Sequence, residues 1–325
     1  MRTEKITVRE ILIDKYGEFK NKYWSRVPKN MREHIDDTVS KALKCSDVKY
    51  GFAKYICTEC GYVTKVPFTC KSKFCNRCGR LYTIKWAEKQ QKSMLRVGHR
   101  HSVFTMPDEL RNFFYSRRDL LKELQDGVYN VINYWYNKNK NNSYEVGVIT
   151  VVHTFGRDLK WNPHVHALVT EGGVNKGSKW WKTVNYIPYQ YLKKSWQKIL
   201  LDIIKKHFNS YKTRQLISNL YKRYPKGFYV NAEGKLDDTK QAVKYIGRYL
   251  ARTTIAEYRI IKYENTFWYE DHNDGHKVVV TVGVLDFIGD MLYESQNVRS
   301  EVHKKNFTNI IVINVIGVLW VITCI

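Results

Sequence analysis

Two histidines stand one residue apart in an apolar run, Asn162-Pro163-His164-Val165-His166-Ala167-Leu168-Val169. Side chains alternate faces along a β-strand, so His164 and His166 share one face and Val165 takes the other. Two imidazoles side by side on one pleat can share a divalent metal. Two ligands alone hold an ion weakly, so the pattern calls for a third. If the hairpin that ends in this strand is symmetric, His153 lies across from His164 on the same face. Gln241, Asp158 and Glu145 are the alternatives. A shell that the protein leaves incomplete keeps positions for water and a substrate oxygen, as Lewis-acid chemistry requires. The competing structural reading is a pair of polar residues on the solvent face of a half-buried strand.

A second pattern separates the two readings. Asp237 to Arg252 has helical spacing and opens on Asp238 and Gln241, an acid followed three residues later by glutamine, as in a capping box. Val243, Ile246 and Leu250 form one stripe; Gln241, Tyr245, Tyr249 and Arg252 form another. A phenol with a pKa of about 10 attacks phosphorus well only where cations polarise the phosphate and favour phenolate. Lys244, Arg248 and Arg252 are close enough along the helix to bind phosphate oxygens. Alone, two tyrosines on a helix face are core or surface aromatics. Beside a His-x-His strand they point to phosphoryl transfer.

Five of the seven cysteines fall between Cys57 and Cys78, which in an intracellular chain reads as metal rather than disulfide. Cys57-x-x-Cys60 and Cys75-x-x-Cys78 each end in glycine, Gly61 and Gly79. Two such knuckles facing each other supply four thiolates in a tetrahedron, the closed geometry of structural zinc. Cys70 is then a free buried thiol. Basic neighbours, among them Lys73 and Arg77, mark the module as DNA-contacting, with pure scaffolding as the alternative.

The elements that position these groups follow from gross composition and patterning. The chain has 55 Lys+Arg against 31 Asp+Glu, a net charge of +24 spread along its whole length. A folded protein this basic has a polyanion as partner, and nucleic acid is the commonest. Its 24 tyrosines and 9 tryptophans add flat faces for stacking on unpaired bases. Met1 to Glu10 is charged, without the apolar stretch of a secretory signal. Ile310 to Ile325 is apolar but shorter than the roughly 20 residues of a spanning helix, so no membrane anchor is expected. Residues 1–50 read as helical, Gly51 to Arg80 as short strands and turns, and Leu81 to Val97 as helix. His99 to Met106 reads as a strand, Asp108 to Tyr136 as one helical stretch, and Tyr144 to Thr170 as a hairpin. Tyr189 to Phe208 is a basic amphipathic helix, and Thr266 to Val284 a second hairpin turning at Asn273-Asp274-Gly275.

In order along the chain, the run from His153 to Leu159, then Asn162 to His166, then Tyr245-Ile246-Gly247-Arg248-Tyr249 resembles the two-tyrosine HUH transposases of bacterial insertion sequences. More specifically it looks like the rolling-circle type, insertion-sequence family ninety-one. The Cys57 to Cys78 arrangement, with Cys70 inside it and the Trp86 helix after it, is similar to the zinc-binding domain of that family. Val103 to Pro107 is similar to the strand opening its nuclease domain. The resemblance runs from about residue 20 to about residue 290, and the family pattern is lost after Phe287.

What the resemblance implies is an α+β chain in three parts. These are a helical and zinc-ribbon DNA-binding domain over 1–97, an HUH nuclease domain with a central antiparallel sheet over 98–290, and an atypical hydrophobic tail over 291–325. It implies a DNA transposase with structural Zn²⁺ and catalytic Mg²⁺ or Mn²⁺, acting on single-stranded ends of its mobile element and on target DNA in the bacterial cytoplasm, at the nucleoid. His164 and His166 would bind the catalytic metal, and Tyr245 and Tyr249 would form phosphotyrosine links. A plasmid replication initiator or relaxase of the same nuclease class, or a zinc-ribbon regulator without chemistry, are the rival functions.

Overall fold

The computed structural model describes residues 6–72, 74–94, 96–138, 143–156, 159–178, 180–184, 187–236, 241–242, 255–273 and 276–300. From the N-terminus come α1 (Val8–Tyr23), α2 (Lys29–Leu43), β1 (Phe52–Ile56), β2 (Val63–Pro67) and α3 (Asn76–Ser93). β3 (His99–Phe104), α4 (Asp108–Ser116) and α5 (Leu121–Asn137) follow, then β4 (Tyr144–Glu145), β5 (Val148–Phe155) and β6 (Trp161–Thr170). β7 (Gly172–Asn175) and β8 (Trp181–Thr183) precede α6 (Tyr189–His207) and α7 (Tyr211–Arg223). β9 (Val230–Leu236), β10 (Ile260–Tyr263), β11 (Thr266–Asn273), β12 (His276–Gly283) and α8 (Val284–Ser300) end the described elements. Among the described residues every sheet is antiparallel, and the class is α+β.

Two compact units result, and they do not run as the continuous blocks expected from the sequence. One comprises Met1–Lys85, Arg157–Lys160 and Ala251–Ser300; the other comprises Trp86–Gly156 and Trp161–Leu250. In the first, α1 starts at a capping box: the Thr7 hydroxyl accepts from the Glu10 amide, and the Glu10 carboxylate accepts from the Thr7 amide. Such a cap stabilises a helix by about 1 kcal/mol. Ile11, Leu12, Tyr16 and Phe19, at helical spacing, pack in one core with Ile35 and Val39 of α2 and Phe287, Ile288, Met291 and Leu292 of α8. The Phe267 and Phe287 rings stack with centroids 4.0 Å apart. Met291 and Leu292 thus continue the buried stripe of α8, and the helix runs on past residue 291, where the sequence pointed to a tail. Residues 301–325, including Ile310 to Ile325, lie outside the described residues. Among the described residues, no helix is long and apolar enough to cross a membrane.

The second unit is built on a four-stranded sheet in the order β5-β6-β3-β9. One face presents Phe104, Val148, Val165, Ala167 and Val169 to a core shared with Leu124, Val128 and Val131 of α5 and Trp196, Leu200 and Ile204 of α6. The two helices approach closely at Gly127, where a Cβ would fall 2.7 Å from Ile199 Cγ2. The indole N–H of Trp196 donates to the Thr105 carbonyl at 2.7 Å and ties α6 to the end of β3. The other face carries the histidines.

Two expected elements are divided. Asp108 to Tyr136 breaks at a 3₁₀ turn over Arg118–Leu120, where Arg117 leaves helical geometry at φ −128°, ψ 77° and grips Asp119. Ser116 to Asp119 are four consecutive polar residues, and the apolar stripe resumes only with Leu120, which is buried. The strand expected from Tyr144 splits at Val146-Gly147, so that β4 joins β7 and only β5 joins β6.

Candidate metal centres

β6 lies between β5 and β3, and its register assembles the histidines. His153 of β5 is the direct partner of His164, while Val103 of β3 and Val151 of β5 flank His166. Alternation then puts His153, His164 and His166 on one face. Their ring centroids are 4.9 Å (His153 to His164), 4.9 Å (His164 to His166) and 5.8 Å (His153 to His166) apart. One ring nitrogen from each lies within 4.8 Å of the others. His153 and His166 are buried, and His164 is half-buried.

The chemistry of these nitrogens fits a cation. His164 Nδ1 is 2.7 Å from the carbonyl oxygen of Asn162. A carbonyl can only accept, so Nδ1 carries the proton and Nε2 is left with a lone pair. His153 Nδ1 lies 3.2 Å from that Nε2. Nitrogens bound to one ion at ~2.1 Å stand roughly 3.0–3.4 Å apart, so the spacing is that of neighbouring ligands. Of the other ligand candidates, Gln241 is exposed, Glu145 sits in β4 of a different sheet, and Asp158 lies outside the described residues.

A second cluster gathers four sulfurs. Cys45, Cys70, Cys75 and Cys78 bring their Sγ atoms within 4.8 Å of one another. Cys45 to Cys78 is 3.6 Å, Cys70 to Cys78 3.7 Å and Cys75 to Cys45 3.7 Å. Thiolates ~2.3 Å from a tetrahedral zinc stand about 3.8 Å apart. Cys45 follows the C-terminus of α2, Cys70 and Cys75 occupy the connection from β2 to α3, and Cys78 lies in the first turn of α3. The thiol hydrogen bond from Cys70 is the main reason the Cys75 thiol is pulled down to about 5; the Cys78 and Arg77 amides at the start of α3 add to it. That same contact, and after it burial, push Cys70 up.

This corrects the expected ligand set. Cys75 and Cys78 are joined by Cys45 and Cys70, whereas Cys57 and Cys60 sit apart and exposed at the far end of the β1–β2 hairpin. The physical reason is the hairpin itself. Its base is tied where Ser46 N–H donates to the Phe68 carbonyl and Phe68 N–H to that of Gly51. The pairing Phe52↔Pro67 to Ile56↔Val63 then carries the knuckle four residues outward, about 13 Å. At the tip, Cys57 N–H donates to the Tyr62 carbonyl, Gly61 N–H donates to the Cys57 carbonyl, and Gly61 has φ +72°, which glycine adopts freely. The amides of Cys60 and Glu59 draw the Cys57 thiol below its ordinary value. Cys45 was missed because ligands were sought as Cys-x-x-Cys pairs. The signal that finds it is that Cys45 and Cys70 bracket a hairpin and so meet at its base.

Arg77 is exposed on α3. Lys73, Tyr245, Tyr249, Lys244, Arg248 and Arg252 lie outside the described residues.

Comparison with known proteins gives two matched regions. Residues 15–106 match the family model described as "Transposase zinc-binding domain", and residues 147–300 match the one described as "Putative transposase". The chain is 28% identical over 271 residues to the transposase for insertion sequence element IS801 of Pseudomonas savastanoi pv. phaseolicola, covering 78% of this chain and 65% of that protein. It is 25% identical over 265 residues to "Putative transposase y4qJ" of Sinorhizobium fredii, covering 75% of this chain and 66% of the relative. The chain thus spans just under two thirds of the length of each of these relatives. No solved structure matches it. The thiol cluster lies inside one matched region and the histidine strands inside the other, and over both regions the chain is similar to the transposases of insertion-sequence family ninety-one with their N-terminal zinc-binding domain.

Proposed function

We propose that the chain is a DNA transposase that cuts and rejoins single-stranded DNA at the ends of its element and at the target, through 5′-phosphotyrosine intermediates. The observation that carries this reading is the histidine centre. Three imidazoles converge on one face of a sheet, and the Asn162 carbonyl holds His164 in the tautomer that leaves Nε2 able to bind a cation. His153, His164 and His166 would hold Mg²⁺ or Mn²⁺, which when bound polarises a phosphate oxygen.

Tyr245 or Tyr249 is the nucleophile. Its oxygen forms a bond to phosphorus as the bond from phosphorus to the 3′ oxygen breaks. The phenolic proton passes through solvent to that oxygen, leaving a 3′-hydroxyl. The phosphodiester energy is retained in the tyrosyl ester, so the reverse attack by a 3′-hydroxyl reseals DNA with no other energy source. Lys244, Arg248 and Arg252 grip phosphate oxygens beside the tyrosines. Cys45, Cys70, Cys75 and Cys78 hold the zinc, and Lys73 and Arg77 lie against DNA. Work on DNA ends of a bacterial element locates the protein in the cytoplasm, at the nucleoid.

The test is a covalent protein–DNA band after incubation with single-stranded element ends and Mg²⁺ or Mn²⁺. Each single variant, Tyr245→Phe and Tyr249→Phe, should lose completed transposition, and at least one should still form the adduct. The double variant should form none. An adduct in the double variant would assign the nucleophile elsewhere, and no adduct with the unaltered protein would leave a DNA-binding regulator as the better reading.

A further inference from the structure

We infer that His101 is a positioning residue of the histidine centre: its Nε2 accepts a hydrogen bond from His166 Nδ1–H and so presents His166 Nε2, unprotonated, to the divalent cation. The inference rests on the reading of His153, His164 and His166 as a metal centre. His101 lies in β3, where its direct partner is Leu168, so His166 is its diagonal neighbour two residues along the same face. The ring is 1% exposed, and its Nε2 is 3.0 Å from His166 Nδ1. The two ring planes differ by 13°, with centroids 5.2 Å apart. The centroid separation exceeds the nitrogen separation by about two ring radii. The rings therefore meet edge to edge in nearly one plane, as an in-line N–H···N bond requires, rather than face to face.

Two nitrogens this close in a dry place cannot both be lone pairs or both carry protons, so one proton lies between them. A neutral imidazole has a single N–H. If that proton belonged to His101, His166 would carry its own on Nε2 and could not ligate. Ligation by Nε2 therefore fixes the bond as His166 Nδ1–H to His101 Nε2. His164 is held in the same tautomer by Asn162, so two of the three ligands owe their unprotonated Nε2 to an acceptor behind Nδ1. His101 itself does not belong to the three-histidine group.

The experiment is Mn²⁺ binding to the full-length protein, followed by electron paramagnetic resonance, together with cleavage as a function of Mn²⁺ concentration. His101→Leu removes the acceptor and should weaken Mn²⁺ binding roughly 10- to 100-fold. Cleavage at saturating Mn²⁺ should largely return, so the loss falls on the metal requirement and not on kcat. His101→Gln places an amide oxygen near the Nε2 position and should recover most of the affinity. His101→Asn, which suits the polar site but ends short of His166, should behave as leucine does, and it covers the case in which the leucine variant fails to fold. Parent-like Mn²⁺ binding in folded His101→Leu or His101→Asn would overturn the assignment, as would a glutamine variant no better than either. His166→Ala separates this from the premise: if it too binds Mn²⁺ as the parent does, the metal centre itself is misassigned.

Discussion

The thiol cluster and the histidine cluster are of similar size and are built in opposite ways. The thiols come from a helix end, a loop and a helix start, and their four sulfurs complete a tetrahedron. The histidines come from the middle of two paired strands, and three nitrogens leave any cation they hold short of ligands. A complete shell on irregular backbone holds chain together and has no position to offer a substrate. An incomplete shell on a rigid sheet keeps such a position, and the sheet holds the ligands still without help from the ion. The difference fits the proposal that the sulfurs serve structure and the imidazoles chemistry.

The most severe way to break this division is at the sulfurs. Cys45→Ser should lose stoichiometric zinc and most soluble protein, because ligation in such sites is folding free energy. Cys57→Ser should stay soluble and keep one zinc per chain, measured by atomic absorption. Equal loss in the two variants would return Cys57 to the same centre. Next in size, His164→Ala should cut single-strand cleavage by roughly 10³-fold or more, since Lewis-acid stabilisation is worth several kcal/mol. Its zinc content and thermal unfolding should match the parent; a fall in zinc would show that the two centres are not separate.

The smallest effect concerns a histidine of β3, the strand of His101, that neither cluster uses. His99 is 3% exposed, and burial lowers its pKa from 6.5 to about 4, against a smaller opposing pull from the Val97 carbonyl. The folded state disfavours the charged ring, so the unfolded chain binds the proton first as pH falls. Stability from this residue is complete above pH 7 and drains away between about 6.5 and 4, by about 3 kcal/mol at the lower end. Denaturant unfolding of the parent and of His99→Gln across that window should diverge with this sign. Parallel curves would mean that the ring is solvated.

The histidine centre was legible because strand geometry is local and periodic. One-residue spacing put His164 and His166 on one face, and a hairpin turn brought His153 opposite. The thiol centre was legible only in type. Spacing singled out Cys57-x-x-Cys60 as a ligand pair, and its turn hydrogen bonds do form, but which thiols meet depends on where the intervening strands carry them. The helix of α8 was lost in the same manner: Met291 and Leu292 read as the start of a tail until α1 supplied a surface for them. His101 left no signal in one dimension, since its role is a diagonal contact across two strands.

The β1–β2 hairpin is exposed along nearly all of both strands, with Tyr55, Ile56, Tyr62 and Val66 in solvent. A two-stranded ribbon with so little buried is marginal on its own. Cys45 and Cys70 close the segment that contains it into a ring, and a cross-link over a loop of that length removes roughly 3–4 kcal/mol of chain entropy from the open form. Metal at the base thus acts on the ribbon as a staple acts on a loose page. Stripping it should expose the whole segment from Ser46 to Thr69 to protease as one unit, while the strands that carry the histidines stay resistant.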